Sequence, residues 1–286
     1  MSEEIKIGTI LASKFELMSV LGAGKNCTIY KGYQNFTKKS VALKVLNLSA
    51  LADLDELKRF QHEARLGTEL AAHSGIVKVV DFGAASAGQV YMVMNLVEGP
   101  TLKELLAQRG RLDERLAINI FKQICDALAF AHEQKIVYRS LDTSEILLTP
   151  RTTKDGEAYT VTLIDFGSAV KQGDNFALAL PGEAVGKPGY MSPEQARGEE
   201  TDARTDIFAV GRMLYEAFAG KPPEGVPTFS PDLAINENVQ SAIIKATEEE
   251  RNKRFSSMKE FAQALAASGS QDEKRDIWGW TKKIFK

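Results

Sequence analysis

Apolar and polar positions alternate along the first hundred residues, and then the period changes. Phe15 to Val20 alternates, Gly22 and Gly24 interrupt, and Thr28-Ile29-Tyr30 resumes the run. Ser40 to Leu46 (SVALKVL) is a second apolar and β-branched run, built around one lysine. Ile76 to Phe82 and Gln89 to Val97 follow the same rule, and all of these read as strands. Between them, Asp53 to Leu70 has helical spacing with many charges, which predicts an amphipathic helix. After Gly99-Pro100 the 3.6-residue period dominates. It predicts helices over Thr101 to Arg109, Leu112 to Gln134, Thr205 to Ala219, Asn236 to Thr247 and Ser257 to Ala267. Ile146 to Leu148 and Val161 to Ile164 flank a polar turn at Asp155-Gly156 and read as a hairpin. Strands followed by helices predict an α+β fold of two lobes, a strand-rich one over 12–97 and a helical one over 101–267. The cleft between such lobes is a favoured ligand site.

Composition narrows the class. The chain has 286 residues, 44% hydrophobic and 26% charged, within the ordinary globular range. A net charge of −2 argues against nucleic acid as a partner. No apolar run reaches the roughly 18 residues needed to span a bilayer. The start, Met1-Ser2-Glu3-Glu4, is acidic and lacks the apolar core of a secretory signal. Two cysteines, Cys27 and Cys125, cannot build a disulfide framework, so a reducing cytoplasm is expected. Residues 268–286 combine a polar linker with an aromatic and basic tail, Ile277 to Lys286 (IWGWTKKIFK). The tail has two readings: a segment that docks on a membrane surface or a partner, and a helix that packs its tryptophans on its own domain.

Candidate chemistry begins at Leu21 to Ile29. Glycines between two strands let backbone amides approach phosphates. Two glycines alone are more often a hairpin turn. Lys44 follows inside a strand, and a buried strand lysine requires an anionic partner. Glu63, on the predicted helix, is the candidate. Asp165-Phe166-Gly167 stands directly after the apolar run ending at Ile164.

Taken in order, the glycine loop, Val41-Ala42-Leu43-Lys44, the helix glutamate, Asp165-Phe166-Gly167 and Ser192-Pro193-Glu194 resemble the protein kinase family over residues 12–267, its bacterial serine/threonine branch most of all. The resemblance implies an ATP site. Gly22, Gly24 and Ile29 would cover the nucleotide, and Lys44 would meet its phosphates while paired with Glu63. Ala42 and Leu147 would sandwich the adenine. Met94 would be the gatekeeper, and Asn95 to Val97 the hinge. Asp165 would hold Mg²⁺. A second Asp81-Phe82-Gly83 precedes the hinge and reads as structural. Cys27 replaces the third loop glycine and reads either as an accessible thiol or as a small half-buried residue.

The catalytic loop departs from the family. Where His-Arg-Asp-Leu-Lys-x-x-Asn is usual, this chain has Tyr138-Arg139-Ser140-Leu141-Asp142-Thr143-Ser144-Glu145. The base position is Ser140, whose hydroxyl cannot accept a proton near neutral pH. The usual lysine is Asp142, and the usual asparagine is Glu145, which can still bind Mg²⁺ through oxygen. Lys187 stands where a threonine is usual, so a charge swap predicts an Asp142–Lys187 salt bridge. Residues 169–190 contain no serine or threonine, which removes the usual phosphorylation site opposite Arg139. Glu194 with Arg254, and Asp206, match scaffold residues. Three carboxylates near the triphosphate, Asp142, Glu145 and Asp165, would repel it without bound cations, which predicts that ATP affinity depends strongly on Mg²⁺ or Mn²⁺. Two functions stay open: a catalytically impaired pseudokinase that binds ATP and serves a protein partner as scaffold or regulator, and a weakly active serine/threonine kinase using Asp142 as a displaced base.

Overall fold

The computed structural model describes residues 5–51, 53–85, 88–154, 156–173, 186–233 and 235–267. They form two units, one from the start of the chain to Glu98 together with Ile164–Gly167, the other from Gly99 to Leu163 and from Ser168 onward.

The first unit is a six-stranded antiparallel sheet in the order β1-β2-β3-β4-β6-β5, with one long helix. Its strands are β1 (Ile10–Leu11), β2 (Phe15–Ala23), β3 (Cys27–Gln34), β4 (Lys39–Leu46), β5 (Val79–Ala84) and β6 (Val90–Asn95). A short α1 (Leu48–Leu51) leads to α2 (Leu54–Glu69). Asp53 caps α2 by accepting from the amides of Asp55 and Glu56, a preferred way to satisfy the orphan donors of a first turn. Period-2 alternation sorts β4 onto two faces. Val41, Leu43 and Val45 enter a cluster with Phe15, Leu17, Tyr30, Tyr91 and Val93. Ala42 and Leu46 enter a second cluster with Phe60, Ala64, Met92 and Met94. Lys44 lies between Ala42 and Leu46 and therefore shares the face that meets α2.

The second Asp-Phe-Gly run lies in β5. Asp81 pairs with Lys14 at 3.5 Å, and the Phe82 ring packs on Phe60 with centroids 5.8 Å apart. A Cβ on Gly83 would stand 2.9 Å from the Tyr91 hydroxyl. This run is a packing element of the sheet.

The second unit is built on α4 (Glu114–Glu133), whose buried positions include Leu116, Ile120, Phe121, Ile124 and Leu128. Around it stand α3 (Leu102–Arg109), α6 (Ala203–Ala219), α7 (Glu237–Ala246) and α8 (258–267). The hairpin of β8 (Ile146–Thr153) and β9 (Gly156–Leu163) is longer than the apolar runs predict. Its outer half, including Arg151, Thr152 and Glu157, is exposed, and hydrophobicity leaves no trace there. Two-residue strands β7 (Ile136–Val137) and β10 (Val170–Lys171) pair with each other, and α5 (Pro193–Ala196) is a single turn capped by Ser192. None of β1, β7, β10 and α5 is long enough to leave a periodic signal. Among the described residues no helix is long and apolar enough to cross a membrane. The tail over 277–286 and most of the loop without serine or threonine lie outside the described residues.

Candidate functional site

In the first unit the decisive feature is a buried lysine. Lys44 is 6% exposed and Glu63 also 6%. Its Nζ donates to both Glu63 oxygens, at 2.6 and 2.8 Å, and to Asp165 Oδ1 at 3.3 Å. Burial opposes the ammonium charge, yet Glu63 and then Asp165 outweigh it and hold the Lys44 pKa above its ordinary value. Asp165 adopts a left-handed backbone, φ 63°, a conformation uncommon for a non-glycine residue. Its Oδ1 also accepts from the Gly167 amide at 3.1 Å. A Cβ on Gly167 would stand 3.0 Å from that oxygen and 3.1 Å from Glu63 Oε2, so a side chain there would crowd the pair.

Gly22 pairs with Ile29, and Ile29 with Lys44, across β2, β3 and β4. The turn closes by Gly24 N donating to Cys27 O at 2.8 Å. Asn47 ties this turn down: its Nδ2 donates to the carbonyls of Gly24 and Lys25, and its Oδ1 accepts from Thr28. Asn26 donates to Glu56 of α2 at 2.7 Å. Sequence reasoning missed Asn47 and Asn26, because a single asparagine carries no pattern. Cys27 is half-buried, and burial raises its thiol pKa, which fits the small packed residue better than a reactive thiol. Ala42 and Met94 face each other across β4 and β6. Asn95 is exposed at the end of β6, and Val97 is half-buried beyond it.

The second unit holds the loop with the lost motif. Arg139 is left-handed, φ 69°, so its amide and that of Tyr138 converge on Asp206 at 2.9 and 2.8 Å. His132 Nε2 meets the same carboxylate at 2.7 Å, and Gln195 Nε2 donates to the Arg139 carbonyl at 2.6 Å. Arg139 Nε donates to the Ser168 carbonyl. The backbone leading into Ser140 is thus fixed at Tyr138 and Arg139, and Ser140 itself is half-buried. Leu147, in β8, is half-buried and bridges to Thr101.

Asp142 is 3% exposed. Its Oδ1 accepts from the amide and hydroxyl of Ser144 at 2.5 and 2.6 Å, and its Oδ2 is ion-paired with Lys187. The charge swap read from sequence is present. Lys187 also reaches Glu145 Oε1 at 2.7 Å and Ser144 Oγ at 3.1 Å. Partial burial opposes its charge, but hydrogen bonds to Asp142 and Glu145 hold its pKa above the ordinary value. Of the three carboxylates expected near the triphosphate, Asp142 and Glu145 thus share a cation supplied by the chain. Glu145, expected as a metal ligand, has its Oε1 on Lys187. Among the described residues no group of three or more His, Cys, Asp or Glu side chains is arranged to hold a metal ion.

Lys187 is delivered by an anchored segment. Glu194 and Arg254 form a bidentate pair at 2.7 and 2.8 Å, their side chains 1% and 0% exposed. Thr205 adds a hydroxyl bond to Glu194. Burial works against the Glu194 charge, and Arg254 more than offsets it, holding the carboxyl at about 2.

A family model described as "Protein kinase domain" matches residues 15–278. This chain belongs to the protein kinase family. Serine/threonine-protein kinase pkn3 of Myxococcus xanthus is 34% identical over 232 residues, 80% of this chain and 41% of the relative. Serine/threonine-protein kinase PknB of Mycobacterium leprae is 33% identical over 216 residues, 74% of this chain and 33% of the relative. The chain therefore spans less than half the length of these two curated relatives. A crystal structure of the Mycobacterium tuberculosis PknI kinase domain, as a double mutant, is similar with a TM-score of 0.72 and 26% identity. That likeness covers 93% of this chain and 100% of the other. The kinase domain thus has the predicted fold class, a strand-rich N-terminal lobe and a helical C-terminal lobe, with bacterial serine/threonine kinases as relatives.

Proposed function

We propose that this kinase domain binds ATP with a divalent ion but is impaired in phosphoryl transfer, acting as a scaffold or regulator for a protein partner. The observation that carries the reading is the state of Asp142. The usual base position holds Ser140, and the carboxylate two residues on, which could replace it, is buried and ion-paired to Lys187. A general base must reach the proton it abstracts and be able to accept it. A carboxylate that already takes two hydrogen bonds from Ser144 and an ammonium from Lys187 is poorly placed for either. Loss of one general base removes about 10²–10⁴-fold in rate.

The nucleotide half of the reading rests on the Lys44–Glu63–Asp165 cluster. Lys44 would meet the phosphates, Gly22, Gly24 and Ile29 would cover them, and Asp165 would hold the divalent ion. Ala42 and Met94 would line the adenine site, with Asn95 to Val97 offering backbone groups. The bound ion would supply charge neutralisation to the phosphates.

The test pairs ATP-dependent thermal shift, with and without Mg²⁺, with radiolabelled transfer to a generic protein substrate. Binding that requires Lys44, with transfer no higher than in an Asp165→Ala control, supports the proposal. Transfer well above that control and abolished by Asp142→Asn would instead make Asp142 the base and the protein an enzyme.

A further inference from the structure

Two carboxylates and a hydroxyl from one short turn converge on the Lys187 ammonium. Asp142 caps the turn Thr143–Glu145, and Asp142, Ser144 and Glu145 each present an oxygen to Lys187 Nζ. Hard oxygen ligands of this kind, two of them anionic, are what a divalent cation selects. Here a cation is already present, covalently part of the chain. It neutralises Asp142, which has almost no access to water and would otherwise be a buried charge without compensation.

The ammonium is held in place by its backbone. The Lys187 carbonyl accepts from the amides of Tyr190 and Met191 at 3.1 and 3.2 Å. Tyr190 donates to Glu216 at 2.6 Å, and Gly186, at φ 140°, is in a conformation that disfavours side chains. A tethered cation of this kind competes at high effective concentration. The Lys187 side chain is 43% exposed, while the Asp142 and Glu145 side chains it joins are 4% and 16% exposed, so the ammonium reaches from solvent into a half-closed point.

We propose that Lys187 is a resident cation that fills the point between Asp142 and Glu145 and denies it to a divalent metal ion. This goes beyond the impaired-transfer reading and stands whether or not the chain transfers phosphate.

The experiment measures Mn²⁺ binding to the full chain without nucleotide, by electron paramagnetic resonance of free Mn²⁺. Lys187→Met should bind one Mn²⁺ more than the native chain, with a dissociation constant of roughly 0.1–1 mM, the range of weak oxygen sites. Lys187→Arg, which keeps the charge, should bind no more than native. Lys187→Met with Asp142→Asn should lose the gained ion. Native and Lys187→Met chains binding the same number of ions would overturn the proposal, as would a gain that survives Asp142→Asn. A second measurement does not depend on the folding of Lys187→Met. Glu145→Gln in the otherwise native chain should leave Mn²⁺ binding unchanged, and a lost ion there would show that metal, and not Lys187, holds the site.

Discussion

Replacing Arg254 by methionine should uncouple the segment that carries Lys187 and give the chain a distinctive pH dependence. Arg254 donates to both oxygens of Glu194, and neither side chain has appreciable access to water. A carboxyl held at about 2 against an ordinary 4.5 represents ~3 kcal/mol of preference for the charged form at neutral pH. Removing the arginine also leaves Glu194 buried with its own amide and the Thr205 hydroxyl in place of a cation. Breaking a buried pair on one side costs about 3–5 kcal/mol. The sign follows from linkage. The folded-state pKa is depressed, so the contribution is complete above 4.5 and is lost as pH falls toward 2. In Arg254→Met the carboxyl loses its cation and burial pushes its pKa upward. The variant then gains relative to the native chain as Glu194 protonates. Urea denaturation of both chains should give a difference of about 3–5 kcal/mol at pH 7 that shrinks by ~2–3 kcal/mol by pH 3. Glu194→Gln with Arg254→Met should remove most of the pH dependence of that difference. A difference below 1 kcal/mol at pH 7, or one constant from pH 7 to pH 3, would mean that Arg254 does not hold the Glu194 charge.

Other perturbations test separate parts of the site. Lys44→Met leaves Glu63 buried without its ammonium and should destabilise the chain by about 3 kcal/mol while abolishing the ATP-dependent thermal shift; Glu63→Gln with Lys44→Met should recover part of the stability by denaturant titration. Asn47→Ala removes three hydrogen bonds from the glycine turn and should cost about 1–2 kcal/mol, with faster amide exchange at Gly24 as the specific readout. Cys27, its thiol pKa raised by burial, should react with iodoacetamide at pH 7.5 more slowly than glutathione; equal or faster reaction would mark it as activated.

Much of the first unit was legible because its chemistry is expensive to arrange otherwise. A lysine inside an apolar strand demands an anion, and among the acidic residues of the next helix the family resemblance singles out Glu63, so Lys44–Glu63 could be named without coordinates. The α+β order was legible because the period changes from 2 to 3.6 near Gly99. The Asp142–Lys187 pair was legible because two changes of opposite sign occur at positions that meet in the family. What stayed hidden depends on contacts with no period. Asn47 binds backbone carbonyls, which every residue has. Glu145 was read as a metal ligand because its carboxylate suits one, and only the structure shows Lys187 answering it as well. That difference matters for function. A chain that merely lost its base would keep an acidic loop awaiting a metal ion. This chain has put an ammonium onto that loop, on a segment anchored through Glu194 and Arg254, so the buried Asp142 has a cation supplied by the chain itself. A loop whose buried carboxylate is paired from within is the feature on which the proposed scaffold or regulatory role rests.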